Sequence, residues 1–262
     1  MQKKQGILLL ALLVALLAVI SARVSPAVKP QASSGPETSE DAAQDPETPD
    51  PTAPPEPEET KEPQIRDDLP GISLSDWELK LVNDRYVAAP AFAPNVVEIR
   101  NGNYFDSRAA EALESFLQAA EQAGYSVFVR AAYRPYRMQA NLFFGRANLI
   151  AAQEDMEYGE AVEQLARKVV AYPGTSDHQT GLAADIMDNA DTKLDADSAE
   201  RLPLLRWMRS HCAEYGFILR YPKEKQEITG WYEPWHFRYV GKTAAAYIME
   251  HGLCLEEFYE QF

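Results

Sequence analysis

"SDHQTGLAAD", residues 176–185, sets His178 and Asp185 seven positions apart, with Gly181 and two alanines between them. On a helix the two would share a face but lie about 10.5 Å apart along the axis. Two side chains that bind one metal, each at about 2 Å, need donor atoms within roughly 3–3.5 Å of each other. A straight helix therefore fails. A turn at Thr180-Gly181 followed by a strand succeeds: Leu182, Ala184 and Ile186 then face a core, and Ala183 and Asp185 the opposite side. The stretch is expected to fold His178 back beside Asp185.

Around this strand the pattern alternates between helix and strand. "SRAAEALESFLQAAEQAGY" (107–125) has Ala110, Leu113, Leu117 and Ala120 at helical spacing, and Gly124 stops it. "SVFVRAAYR" (126–134) reads as a strand, and "MQANLFFGRANLIAAQ" and "GEAVEQLARKVVAY" as helices. "LPLLRWMRSHCAEYGF" is an amphipathic helix ended by Gly216; "FILRYP" and "WYEPWHFRYV" read as strands, and "TAAAYIMEHG" as a last helix. The elements lack strict βαβ alternation, and the links between the last strands are short. The expected fold is α+β: a single catalytic domain with a central antiparallel sheet flanked by helices.

This domain is expected to begin near Asp67 and to run over residues 67–262, long enough for one real core. What precedes it is different. Residues 1–22 carry Lys3 and Lys4, then an uncharged run from Gln5 to Ala22, at the lower edge of what spans a bilayer. A cleavable signal peptide is the alternative, but Ile20 stands where a small residue favours cleavage before Ala22. The reading preferred is a membrane anchor with a cytoplasmic N-terminus and an extracytoplasmic domain. Residues 23–66 are rich in Pro, Glu, Asp and Thr and nearly free of large apolar side chains, as in a disordered linker. Ten acids and one lysine give residues 31–64 a charge of −9, more than half of the chain's −15. That charge belongs to a solvated tether, not to an acidic active surface. No basic cluster exists anywhere, which argues against nucleic acid as a partner. Cys212 and Cys254 lack metal-pair spacing; a disulfide and two buried thiols both fit.

Of the four histidines, His211 and His251 lie in or at the end of helices and are expected to be structural or solvent-exposed. His236 sits in "EPWHFRYV", three residues after Glu233, with Pro234 between them. On a regular strand those two would face opposite sides. A bulge at the proline can bring them together.

"SDHQTGLAAD" fits Ser-x-His-x-x-Gly-x-Ala-x-Asp, and "EPWH" fits Glu-x-x-His. Together with "YRPYRMQ", "YPGTSDHQTGLAADI", "YGFILRYP" and "EPWHFRYVG", they resemble the VanY-type zinc D-alanyl-D-alanine carboxypeptidases from about Tyr104 to Tyr247. The resemblance implies zinc held by His178, Asp185 and His236, two histidines and a carboxylate being a catalytic ligand set. It implies Glu233 as general base, Arg134 as the guanidinium that stabilises the oxyanion, and Ser176, Tyr133 and Gln139 as substrate contacts. It also implies a substrate: the terminal D-Ala of peptidoglycan stem peptides at the cell surface. An L,D-carboxypeptidase acting on stem tetrapeptides and a non-catalytic wall-binding module are the alternatives. A pure binder has no need of a base such as Glu233 beside the metal. Two departures stand out. Ala131-Ala132 replaces the family's usual Ser-Gly, and "TGWYEPWH" is one residue tighter than the common spacing.

Overall fold

The computed structural model describes Leu69 and residues 71–262. The apolar run at 1–22, the acidic segment 23–66 and the boundary at Asp67 lie outside the described residues. Among the described residues no helix is long and apolar enough to cross a membrane.

Two sheets are present in the described part. A short hairpin pairs β1 (Val96–Glu98) with β2 (Tyr104–Asp106). The main sheet contains β3 (Phe128–Ala131), β4 (Ala183–Met187), β5 (Phe217–Leu219) and β6 (His236–Tyr239). Its order is β3-β4-β6-β5, and every neighbouring pair is antiparallel. The helices are α1 (Ala110–Gln122), α2 (Tyr136–Gln153), α3 (Glu160–Arg167), α4 (Ala196–Ala199), α5 (Pro203–His211), α6 (Gln226–Thr229), α7 (Lys242–Glu250) and α8 (Leu255–Tyr259). This is the α+β arrangement the pattern predicts.

One face of the sheet makes the main core. Val129, Ala184, Ile186, Phe217, Leu219 and Phe237 pack against Leu113, Phe116 and Leu117 of α1 and Leu204, Leu205 and Met208 of α5. Phe116 sits at the centre, with its ring against those of Trp207, Tyr215, Phe217 and Phe237. Strand alternation sends the next residues to the other face. Ile218 and Val240 join a second core with α7 and α8, while Asp185, His236, Arg220 and Arg238 form a buried polar layer. The core face predicted from Leu182, Ala184 and Ile186 is the one observed.

Local chemistry sets the ends of these elements. Pro203 opens α5, where its missing N–H costs nothing. Gly216, at φ 85°, closes the helical stretch through a short 3-10 turn, Cys212–Tyr215. The expected strands at 126–134 and 231–240 are shorter than anticipated. The first stops at Ala131, four residues before Pro135 caps α2, while a turn from Glu233 to His236, closed by the His236 N–H on the Glu233 carbonyl (3.1 Å), delays the second. The helix expected over 159–172 ends at Arg167, ahead of Pro173-Gly174. The β1–β2 hairpin and α8 carry too few residues for a periodic signal.

Cys212 and Cys254 are both free and buried, which removes the disulfide. Burial pushes the Cys212 thiol up to about 12 and the Cys254 thiol up to about 11, so neither is a nucleophile at neutral pH. His211 is half-buried and His251 exposed, and each Nδ1 meets a backbone carbonyl one turn back, of Trp207 and Tyr247, which fits the structural or exposed role expected of them.

Candidate metal centre and cleft

The turn ahead of β4 is built by its own side chains. Residues Asp177–Thr180 form a single 3-10 turn that Gly181 ends at φ 74°. A Cβ at Gly181 would lie 2.8 Å from the Pro94 ring, so both the backbone angle and the space require glycine there. The Thr180 hydroxyl donates to the Asp177 carbonyl (2.6 Å) and accepts from the Leu182 N–H (3.1 Å). The chain therefore doubles back at Thr180-Gly181 and returns His178 to the side of Asp185.

Three ligating groups then meet. Asp185 on β4 stands directly across from His236 on β6 in the sheet register, on the face away from the main core. His178 Nε2 lies 3.2 Å from Asp185 Oδ2, and His236 Nδ1 lies 3.0 Å from Asp185 Oδ1. Among the described residues these three make the one cluster of at least three His, Cys, Asp or Glu side chains whose ligating atoms converge, within 4.8 Å. All three residues are buried.

The donor set fits a divalent cation. His236 Nδ1 and Asp185 Oδ1 approach to hydrogen-bonding distance, yet neither has a hydrogen-bond partner among the described residues. Buried polar atoms left unpaired in this way are costly, and a shared cation would satisfy both. The charge balance points the same way. Burial opposes ionisation of Asp185, but His178 and His236 offset this and hold its carboxyl below the usual range. Burial lowers the His178 pKa, which favours the neutral imidazole that a metal needs. Around His236 burial is outweighed by Asp177, Asp185 and Glu233, and its pKa is raised. A cation among these three carboxylates neutralises the same field. Two imidazoles and one carboxylate are the ligand types of catalytic zinc sites.

Glu233 reaches the cluster from the turn before β6, its Oε2 3.3 Å from His236 Nδ1. Its side chain is 25% exposed, against 8% for Asp185, so of the two carboxylates it is the one open to water and substrate. The proline turn, not a strand bulge, puts it on the same side as His236. Arg134 lines the same cleft. Burial lowers its pKa, partly offset by Asp185, Glu233 and Tyr221, and its Nε has no hydrogen-bond partner among the described residues. Ala132, one of the two residues replacing Ser-Gly, accepts from His178 Nδ1 through its carbonyl (2.8 Å), a contact that needs no hydroxyl.

The cleft has a volume of about 170 Å³. Ser176 lines it, and its hydroxyl does not cap the turn it precedes. Gln139 lines it too, with Nε2 donating to the Ala171 carbonyl (2.6 Å) and Oε1 buried without a partner. Tyr133 is not among the lining residues. Successive residues of the extended chain before Pro135 point opposite ways, so turning Arg134 inward sends Tyr133 elsewhere. Sequence reasoning passed over Tyr221, whose ring centroid is 4.8 Å from that of His236, and Leu142, Val169 and Leu194, which give the cleft an apolar rim. Tyr221 lies in "YGFILRYP", which carries the resemblance but gives no role to any one side chain, and the rim leucines and valine have no spacing signal.

Comparison with known proteins follows the same lines. The VanY family profile, described as D-alanyl-D-alanine carboxypeptidase, matches residues 102–242. A D-alanyl-D-alanine carboxypeptidase of Enterococcus faecalis is 37% identical over 185 residues, covering 70% of this chain and 66% of that protein. Among solved structures, the vancomycin-resistance D,D-pentapeptidase VanY, in an E-to-A variant bound to Zn(II), superposes with a TM-score of 0.60 at 34% identity. The match covers 70% of this chain and 99% of that one. The LD-carboxypeptidase LdcB superposes with a TM-score of 0.59 at 36% identity, covering 69% and 84%.

Proposed function

The chain belongs to the VanY family of D-alanyl-D-alanine carboxypeptidases, and on that premise we propose that it is a zinc enzyme removing the terminal D-Ala from peptidoglycan stem peptides at the cell surface. The observation that carries this reading is the convergence of His178, Asp185 and His236 with Glu233 at one side of the cluster. Zinc held there would supply Lewis acidity, polarising a carbonyl and making water a stronger acid. Glu233 takes a proton from the attacking water as its oxygen adds to the scissile carbonyl carbon. The same carboxyl passes that proton to the amine of the departing D-Ala as the C–N bond breaks. Arg134 presents its guanidinium to the negative charge that develops on the carbonyl oxygen. Ser176 and Gln139 orient the peptide.

Arg134→Lys is expected to keep the fold and to lose most turnover, because an ammonium cannot copy the guanidinium fork. Steady-state D-alanine release checks this, and near-normal kcat in the lysine variant would take Arg134 out of the oxyanion role.

A second reading keeps the chemistry and changes the substrate. LdcB, an LD-carboxypeptidase, is as similar to this chain as VanY is, so an L,D bond in stem tetrapeptides is the alternative. Mass spectrometry of muropeptides after incubation separates the two. Pentapeptide losing one alanine supports the first, tetrapeptide losing one supports the second, and no change in either removes both.

Location follows from the segments ahead of the domain. The run at 5–22 is proposed as the membrane anchor, and residues 23–66 as the link between it and the domain. A chain starting near Asp67 is expected to leave the membrane fraction and to keep full turnover on a soluble peptide. Loss of fold or turnover in that truncation would place the linker inside the domain.

A further inference from the structure

We propose that Asp177 is the positioning residue of the metal centre, holding the His236 ring with its Nε2 edge inward so that Nδ1 faces the point shared with His178 and Asp185. This role rests on the zinc reading above. Asp177 neighbours His178 in sequence, but its carboxylate lies behind His236 and is fully buried. Oδ1 accepts from Arg238 Nη1. Oδ2 faces His236 Nε2 at 3.6 Å and Arg220 Nε at 3.7 Å. Asp177 Oδ2, His236 Nε2 and Arg220 Nε all lack another hydrogen-bond partner among the described residues. Those three atoms have only one another to serve.

The acid cannot swing away, because the guanidiniums around it are themselves fixed. Arg238 Nη2 donates to the carbonyls of Glu78 (2.9 Å) and Lys80 (2.8 Å). Arg220 forks onto Glu256 through Nη1 (2.8 Å) and Nη2 (2.6 Å), so its charge is already paired without Asp177. The spare oxygen of Asp177 is thus directed at the imidazole. An Nε2–H facing a carboxylate leaves the lone pair on Nδ1, the nitrogen 3.0 Å from Asp185. His178 is fixed in the opposite sense, its Nδ1–H donating to the Ala132 carbonyl and its Nε2 free to ligate. The two histidines therefore offer different nitrogens to one point. A carboxylate behind a ligating imidazole also raises its basicity as a ligand.

The test compares zinc affinities by competition with a chromophoric chelator. Asp177→Asn is expected to bind zinc about 10–100-fold more weakly than wild type, the usual effect of losing such a partner. Glu256→Gln disturbs the same arginine layer without facing His236, and is expected to lower Tm while leaving zinc affinity unchanged. Nitrogen-15 spectra of histidine in the zinc-loaded wild type give a readout that needs no variant to fold. His236 should carry its proton on Nε2 and His178 on Nδ1. Wild-type zinc affinity in Asp177→Asn, equal weakening in Glu256→Gln, or a proton on His236 Nδ1 would each overturn the role. A wild-type chain that binds no zinc would instead overturn the zinc reading, and this role with it.

Discussion

Glu233→Gln is expected to retain zinc and fold while losing turnover by about 10²–10⁴-fold, the range for removing a general acid–base group. That corresponds to roughly 3–5 kcal/mol of transition-state stabilisation. The amide copies the carboxylate's shape but cannot accept the proton from water or return it to the leaving amine. No nearby acid can take over. Both oxygens of Asp185 face histidines, and Asp177 is sealed behind His236 and two arginines. D-Alanine release by the variant, measured beside its zinc content, decides the matter. Wild-type turnover with bound zinc would move the base elsewhere.

The second large effect belongs to the ligands. His178→Ala, Asp185→Ala and His236→Ala should each lose bound zinc, and with it essentially all turnover. The folds should survive. Asp185 and His236 project from the sheet face opposite the main core and His178 from the turn ahead of β4, so Ala184, Ile186 and Phe237 keep their packing against α1 and α5. Circular dichroism together with elemental analysis separates metal loss from unfolding. Full zinc in all three variants would exclude the site.

Most of this site was legible in ten residues and four. "SDHQTGLAAD" specifies its own geometry: a positive-φ glycine, a threonine able to bond both ways across the turn, and alternating small residues in the strand. "EPWH" holds the proposed base and the third proposed ligand, although the link between them is a proline turn and not the bulge expected. The sheet order was harder to read, because pairing β4 with β6 joins residues more than 50 positions apart and local periodicity carries no information on partners.

Asp177 shows a different limit. Its neighbour His178 belongs to the motif, while Asp177 carries no sequence signal of its own. Its partners Arg220, Arg238 and His236 come from two strands and could not be gathered before the fold was known. Buried arginines are rare unless paired, and the two here, both fully buried, mark the layer that backs the ligands. The position of Tyr133 has the same origin. A motif names residues, but only chain direction tells which of two neighbours enters the cleft.

Zinc held by His178, Asp185 and His236 and serving peptide hydrolysis is the central proposal. Zinc titrated into metal-stripped protein, with D-alanine release recorded at each addition, tests this most directly. Turnover on a D-Ala-D-Ala-terminated peptide should rise in proportion to zinc and level off at one ion per chain. Full turnover from the stripped chain, or none once one zinc is bound, would contradict it.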